Sequence, residues 1–286
     1  MSLAEAAITG LFTGLFYALL AAGFALTLAV ARAINLAHGE TVVIGAYVAF
    51  ALQAGLGLPV LLSLPAAALI AAGLGLGTAR LVGLARSDDP LVVLVLTYGL
   101  SIALQNAMAI VLTPSYRLLT APALQRGLSF GPARVSASRL VVAGLALAAV
   151  AGMGALLYRT RLGQAMRATS QNPTGAALVG IDVGRMRRLA YLFGGALAGF
   201  AGPLFGLLHY IQPFAGHPVT LLALTLAILA GIGRMRTLLL GGILLGVGEA
   251  VAITAAGTEW RELILFGLLL VVLHTRASGL LRGRLA

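Results

Sequence analysis

The chain has 286 residues, of which 60% are hydrophobic and only 9% are charged, whereas about a quarter of the residues of a soluble domain are charged. Its 19 basic residues are all arginines and outnumber the 8 acidic ones, giving a formal net charge of +11. The apolar stretches between the arginines are too long to be solvated. The composition therefore excludes a soluble enzyme, a disordered chain and a nucleic-acid-binding protein, and it predicts a membrane protein.

Nine apolar stretches follow one another along the chain: 6–31, 41–56, 59–79, 90–112, 139–158, 189–211, 219–232, 237–257 and 262–275. Crossing a bilayer takes about 20 apolar residues of helix. The predicted fold class is therefore an all-α integral membrane protein, a polytopic helical bundle of about 8–9 transmembrane helices. The stretches 41–56 and 219–232 are short for a full crossing, so each is expected to be a tilted helix, a broken helix or a re-entrant segment.

Arginine placement predicts the orientation of the bundle. With nine crossings and the N-terminus outside, 14 arginines fall on the cytoplasmic side and 5 on the other side, as the positive-inside rule requires. The residues before the first stretch include Glu5 and no basic residue, so this stretch is expected to be a retained span and not a cleaved signal peptide. The chain is predicted to have its N-terminus outside and its C-terminus in the cytoplasm.

Two connections stand out by their length. The loop at 113–138 contains three prolines and is expected to be an external, irregular connection. The loop at 159–188 contains six arginines and is expected to be internal. Its middle, roughly 165–179, predicts a short helix broken near Asn172-Pro173, because proline disfavours a helical residue before it. A long internal loop with structure of its own is a candidate functional element.

Polar side chains at membrane depth are costly and are candidates for function. Those of this chain fall in the turn before the second stretch, in the fourth stretch and in the eighth: Asn35, His38, Glu40, Tyr98, Gln105, Asn106 and Glu249. A structural role is an equally good interpretation of the first three and of Glu249. The remaining histidines, His209, His217 and His274, are expected at the membrane interface, and Trp260 and Tyr210 fit an aromatic belt.

Several kinds of chemistry are not expected. His38 and Glu40 are two residues apart and do not share a helix face, so a metal pair is not predicted. The chain has no cysteine, no HExxH sequence and no lysine to complete a Walker A motif. It is therefore expected not to be an enzyme, and any ATP that drives it must be bound by another subunit.

Three segments resemble one family in their order and spacing: INLAHGETVVIGAYVAF, GQAMRATSQNPTGAALVGIDVGRMRRLAYLFGGALAGFAGPLFG and LAILAGIGRMRTLLLGGILLGVGEA. Over roughly residues 8 to 275 the chain resembles the permease subunits of branched-chain amino-acid ABC importers, specifically the H-type subunit with an N-x-A-H-G-E signature. The first two segments are fairly specific. The third is shared with permeases for sugars, nucleosides and urea.

The resemblance implies a single transmembrane permease domain over 1–286, in the bacterial inner membrane, that works by alternating access. Its implied partners are two cytoplasmic ABC ATPase subunits, a second permease (often M-type, giving a heterodimer), a periplasmic substrate-binding protein and membrane lipid. No cofactor, metal or nucleic acid is implied, since ATP is bound by the partners. The loop 159–188 would hold the coupling helix, with motif positions Gly163, Arg167, Asn172, Pro173, Ala176, Gly180 and Ile181.

The residue types in the loop 159–188 give partial support to a role in coupling the permease to an ATPase. Small side chains such as Ala165 and Ala176 would allow close seating in a partner's groove. A solvated positive-inside loop explains the arginines equally well, but it does not explain the Asn-Pro break or the Gly180-Ile181 turn. The seven polar candidates at membrane depth are expected to line the substrate path.

Alternatives remain within and outside the family. Urea, amides or another small polar solute would suit a permease of the same superfamily. An ion-coupled secondary transporter is less favoured, because such carriers place several carboxylates or a broken-helix ion site in the membrane. A scaffold protein would not explain the coupling-type loop.

Overall fold

The computed structural model describes residues 3–85, 89–130, 133–230, 235–257, 260 and 267. Within these residues ten α-helices follow one another: α1 (Leu3–Ala31), α2 (His38–Leu56), α3 (Leu64–Leu84), α4 (Pro90–Leu112), α5 (Ala137–Arg159), α6 (Arg161–Gln171), α7 (Pro173–Leu178), α8 (Val183–Leu208), α9 (Gly216–Ala230) and α10 (Met235–Ala256). The predicted ninth stretch, apart from residue 267, lies outside the described residues, as do His274 and the C-terminus.

Eight of the described helices are long and apolar enough to cross a membrane: α1 to α5, α8, α9 and α10, with α3 and α9 each extended at the start by a short 3-10 helix. The first eight predicted stretches each correspond to one of them. The prediction of a polytopic all-α membrane protein is confirmed. The two remaining helices, α6 and α7, form the loop between α5 and α8.

One part of the loop between α4 and α5 is regular, contrary to the prediction. Strands β1 (Gly127–Phe130) and β2 (Ala133–Ser136) pair antiparallel, with Gly127 opposite Ser136 and Phe130 opposite Ala133. The physical reason is that only two residues separate these short segments in the sequence, a spacing typical of a β-hairpin. The same loop is tied to the α8–α9 connection, where Arg117 and Ile211 exchange backbone hydrogen bonds of 2.9 and 2.8 Å.

The core of the bundle is built around α1, whose residues from Phe16 to Ala29 are nearly all buried. On one side α10 packs against it, with Gly10 in backbone contact with Gly246 and Gly14 with Gly242. Because these glycines carry no side chain, the two backbones approach closely. Helix α8 lies on the other side and also packs on α2 and α3.

Helices α2 and α9 begin inside the bundle. After α1 ends at Ala31, a non-helical segment runs back along α1, so that His38 bonds to the Leu20 carbonyl, roughly 16 Å from the end of α1 at 1.5 Å per residue. A second connection follows α8, ends in the short 3-10 helix Pro213–Ala215 and brings Gly216, the start of α9, against Glu40. The two stretches predicted to be short therefore belong to continuous helices that start inside the bundle, and each helix is long and apolar enough to cross a membrane.

Candidate functional site

The non-helical segment 33–37 is ordered by its own polar groups. The Asn35 side-chain oxygen accepts a 3.1 Å hydrogen bond from the Ala37 amide, and the Asn35 carbonyl accepts a 3.4 Å bond from the His38 amide. This is an Asx turn, which asparagine favours because its side chain imitates a backbone carbonyl. Asn35 is buried, although it was expected in a turn near the membrane interface.

Two threonines from other helices bond to this segment and to the start of α2. Thr97 of α4 accepts a 3.1 Å bond from the Leu36 amide, and its hydroxyl lies 3.2 Å from the Ile34 carbonyl. Thr220 of α9 accepts a 2.8 Å bond from the Gly39 amide. Both threonines are buried. An unwound backbone in an apolar bundle needs such partners, because each unpaired amide or carbonyl is costly there. Sequence patterns do not predict this role, since a threonine in a span carries no signal until its neighbours are known.

His38 is fixed at the centre of the bundle. Its Nε2 donates a 3.0 Å hydrogen bond to the Leu20 carbonyl of α1, and the Phe24 ring meets the imidazole edge-on at 5.6 Å. Because a carbonyl can only accept, Nε2 must carry the proton. This histidine therefore joins the start of α2 to the middle of α1.

Glu40 is fully buried in the first turn of α2. Gln105 of α4 donates a 2.6 Å hydrogen bond to Glu40 Oε1. A Cβ atom on Gly216 would lie 2.7 Å from the same oxygen, so the carboxylate also lies beside the start of α9. A negative charge is stabilised near a helix N-terminus, and here two N-termini are adjacent. We call Asn35, His38, Glu40 and Gln105 the polar centre.

The other three predicted path residues lie elsewhere. Tyr98 is 47% exposed. Asn106 is exposed and donates to the Ile102 carbonyl of its own helix. Glu249 is buried on α10 but lies beyond the Gly10–Gly246 contact, which places it roughly 15–20 Å along α1 from Leu20. The structure thus brings together four of the seven residues and separates the rest.

A cavity of about 410 Å³ adjoins the polar centre. Its walls are mainly apolar and come from α1, α8, α9 and α10, with lining residues that include Phe16, Leu20, Phe205, Leu222 and Leu245. Its polar lining residues are Tyr17, His209, Gln212, His217 and Thr225. The cavity therefore contains two histidines that the sequence analysis assigned to the interface. Leu20 lines this cavity, and its carbonyl accepts the His38 hydrogen bond.

The loop between α5 and α8 has the break that the sequence predicts. Helix α6 ends at Gln171, and α7 begins at Pro173. Asn172 caps α7, since its side-chain oxygen accepts a 2.9 Å bond from the Gly175 amide. Gly180 has φ +84°, a left-handed conformation that ends the helix at little cost only for glycine. The next amide, that of Ile181, donates to the Ala176 carbonyl.

Several predicted coupling residues point inward and do not form a free surface. Ala176 is only 4% exposed. Gly163 packs against the backbone of Leu156 and Leu157 of α5. The Arg167 guanidinium lies over the Tyr158 ring at 5.0 Å. These residues shape the loop and hold it to the bundle.

The α6–α7 loop carries an exposed apolar pair that was not predicted from the sequence. Leu178 and Val179, at the end of α7, are 84% and 76% exposed. The available signal was an apolar pair inside an arginine-rich loop. Large exposed apolar side chains on an otherwise polar element favour a binding surface.

The sequence matches one family model, described as the permease component of branched-chain amino acid transport systems, over residues 6–273. The chain belongs to this family. Two relatives are named high-affinity branched-chain amino acid transport system permease proteins. BraD of Pseudomonas aeruginosa is 32% identical over 96% of this chain and 94% of its own length, and LivH of Escherichia coli K12 is 31% identical over 95% and 93%.

More distant relatives cover less of this permease. A probable branched-chain amino acid transport permease protein, LivH of Methanocaldococcus jannaschii, is 28% identical over 82% of the chain and 76% of its own length. The fructose import permease protein FrcC of Rhizobium meliloti is 29% identical over 41% and 34%. No solved structure matches the chain.

Two kinds of catalytic motif were compared with the described part of the permease. No group of three or more histidine, aspartate or glutamate side chains that could hold a metal ion occurs there. The sequence GLSFG at 127–131 has the spacing of a G-x-S-x-G nucleophile motif. However, Ser129 lies within β1 of the hairpin, whereas that motif requires a sharp turn from a strand into a helix.

Proposed function

We propose that this chain is the membrane permease subunit of an ATP-binding-cassette importer for branched-chain or related amino acids. The observation that carries the proposal is coverage: the match to named transport permeases spans nearly the whole chain. It therefore includes both the polar centre and the α6–α7 loop. Transport would proceed by alternating access, and ATP would be bound by partner subunits.

The cavity is the proposed outer part of the substrate path. It adjoins α8 near Phe205 and His209, at the end of α8 farthest from the α6–α7 loop. Its volume falls within the usual range of about 300–1,000 Å³ for ligand pockets. Apolar walls suit a branched aliphatic side chain, and the amide and imidazole groups of Gln212, His209 and His217 suit the charged ends of an amino acid. The polar centre would form the next stage of the path.

The α6–α7 loop is the proposed docking element for two cytoplasmic ATPase subunits. Leu178 and Val179 would enter an apolar groove of the ATPase. Asn172, Pro173 and Gly180 would give the loop its shape, and Gly163 and Arg167 would hold it to α5. In this proposal the chain spans the bacterial inner membrane, with its N-terminus outside and the α6–α7 loop in the cytoplasm. A second permease and a periplasmic binding protein would complete the importer.

The test is to co-express the chain with a second permease and candidate ATPase subunits and to purify the complex in detergent. We expect the wild type to retain the ATPase. Leu178→Asp with Val179→Asp should lower the recovered ATPase at least tenfold, since burying one interface anchor is worth roughly 2 kcal/mol or more. Leu84→Asp, at another exposed leucine that ends a helix, is the matched control and should retain the ATPase.

Vesicle uptake distinguishes the alternatives. Leucine, urea and fructose would each be offered to vesicles that contain the complex and the binding protein. ATP-dependent uptake of leucine supports the proposal, whereas uptake of urea alone would reassign the substrate. If no ATPase binds the wild type and the chain alone moves solute without ATP, the importer assignment is wrong and an ion-coupled carrier replaces it.

A further inference from the structure

Arg32 joins the end of α1 to the end of α6. Its Nη2 donates hydrogen bonds of 3.1 Å to the Ser170 carbonyl and 2.8 Å to the Gln171 carbonyl. The last carbonyls of a helix have no partner within the helix, and a cation is favourable beside them. The Arg32 side chain thus caps α6 immediately before the Asn172 break. It reaches across 138 and 139 residues of sequence to do so.

The backbone of Arg32 is also unusual. Its φ is +55°, and Thr113 is the one other non-glycine residue with positive φ in the described part of the chain. This left-handed conformation is uncommon for a residue with a side chain, and glycine would adopt it without steric cost. The backbone turn and the side-chain bonds at this position can therefore be separated by substitution.

Beyond Arg32 the chain leads directly into the polar centre. The non-helical segment 33–37 follows it and is held by Thr97 of α4 and Thr220 of α9. His38 and Glu40 come next, and Glu40 bonds to Gln105 of α4. Segment 33–37 is short and is held by several hydrogen bonds. A displacement at the end of α6 is therefore expected to reach Glu40.

We propose that Arg32 is a positioning residue that transmits movement of the α6–α7 loop to the polar centre. The inference rests on the proposed coupling role of that loop. When an ATPase displaces α7, the Ser170 and Gln171 carbonyls move with α6, and the guanidinium draws the start of segment 33–37 after them. Because Thr97 and Gln105 both lie on α4, the displacement passes from this segment to α4 as well.

The test uses the assembled complex with its ATPase subunits and binding protein, reconstituted in vesicles. Arg32→Gly keeps the backbone turn and removes the bonds, Arg32→Lys keeps one flexible cation, and Arg188→Ala removes an exposed arginine of α8 as the charge control. Three quantities are measured: the amount of ATPase recovered, the stimulation of ATP hydrolysis by loaded binding protein, and leucine uptake. We expect Arg32→Gly to assemble like the wild type but to lose stimulation and uptake at least about fivefold, since two bonds from a charged donor are lost. Stimulation and uptake by Arg32→Lys should lie between those of Arg32→Gly and the wild type, and Arg188→Ala should behave like the wild type.

Three results would overturn the inference. Full stimulation and uptake by Arg32→Gly would show that Arg32 merely caps α6. If that variant does not assemble, hydrogen exchange of the 33–37 amides in the wild type decides: the inference requires exchange to change on vanadate trapping, and unchanged exchange contradicts it. If the wild type binds no ATPase, the proposed function fails and this inference with it, whereas failure of the Arg32 inference alone leaves wild-type assembly and transport intact.

Discussion

Gly39 and Gly216 touch backbone to backbone where the first turns of α2 and α9 meet. A Cβ atom on Gly216 would lie 2.7 Å from the Glu40 amide nitrogen, and one on Gly39 would overlap the Gly216 carbonyl oxygen. The positive ends of two helix dipoles are thereby brought together, and the Glu40 carboxylate lies beside them. The contact also fixes the depth at which both helices begin. The geometry of the polar centre therefore depends on the absence of two side chains.

Gly39→Ala is expected to destabilise the bundle by about 1–3 kcal/mol, because a methyl group at this contact forces backbone shifts. The measurement is the thermal unfolding midpoint in detergent, together with uptake in vesicles. Gly73→Ala is the matched control: Gly73 lies in α3 with open space around its Cβ position, and alanine is the better helix former by up to about 1 kcal/mol. Equal midpoints for both variants would contradict the close contact.

Gln105→Leu is expected to leave the buried Glu40 carboxylate without its amide donor. Hydrogen bonds to charged groups are worth about 1.5–3 kcal/mol, so both the unfolding midpoint and uptake should fall. The neighbouring change Asn106→Leu removes an exposed amide that bonds within its own helix and should change stability by less than about 0.5 kcal/mol. If the two variants lose uptake equally, α4 presents both residues to the path and the exposed placement of Asn106 is wrong.

Hydropathy and proline placement predicted the spans and the break at Asn172, because each is a local property. Eight predicted stretches became helices, and the two short ones proved to start inside the bundle. The order of the spanning helices from α1 to α10 could thus be predicted from sequence patterns alone. These patterns could not predict the hydrogen-bond partner of each buried polar group.

The polar centre shows why. Gln105 and Asn106 are adjacent in sequence, yet only one faces Glu40, and that choice depends on how α4 packs. Thr97 and Thr220 come from helices distant in sequence and become significant only when segment 33–37 lies between them. Ala176 suggested a seating surface by its size, but it packs inward and leaves Leu178 at the surface. Such outcomes follow from long-range packing.

The orientation can be tested because the chain has no cysteine. Single cysteines at two exposed positions, Tyr116→Cys in the α4–α5 loop and Val179→Cys after α7, would be treated with a membrane-impermeant maleimide. We expect intact cells to label residue 116 and permeabilised cells to label both, because the arginine-rich loop should face the cytoplasm. The unsubstituted chain is the blank, and labelling in detergent verifies that both thiols react. Labelling of residue 179 alone in intact cells would reverse the orientation.

Leu222→Trp is expected to block the cavity. Leu222 lines it on α9, and an indole would occupy much of a space of about 410 Å³ that an amino acid has to enter. Uptake of leucine should therefore fall at least tenfold, the effect of roughly 1.4 kcal/mol. Leu244→Trp adds the same side chain at a 68% exposed position of α10 and should leave uptake within about twofold of the wild type, since substitutions at exposed positions usually cost little. Binding of the ATPase should be the same in both variants, so that a loss of uptake reports the path and not assembly. If Leu222→Trp transports normally, the cavity lies off the path, and the substrate must reach Glu40 and Gln105 along the exposed side of α4.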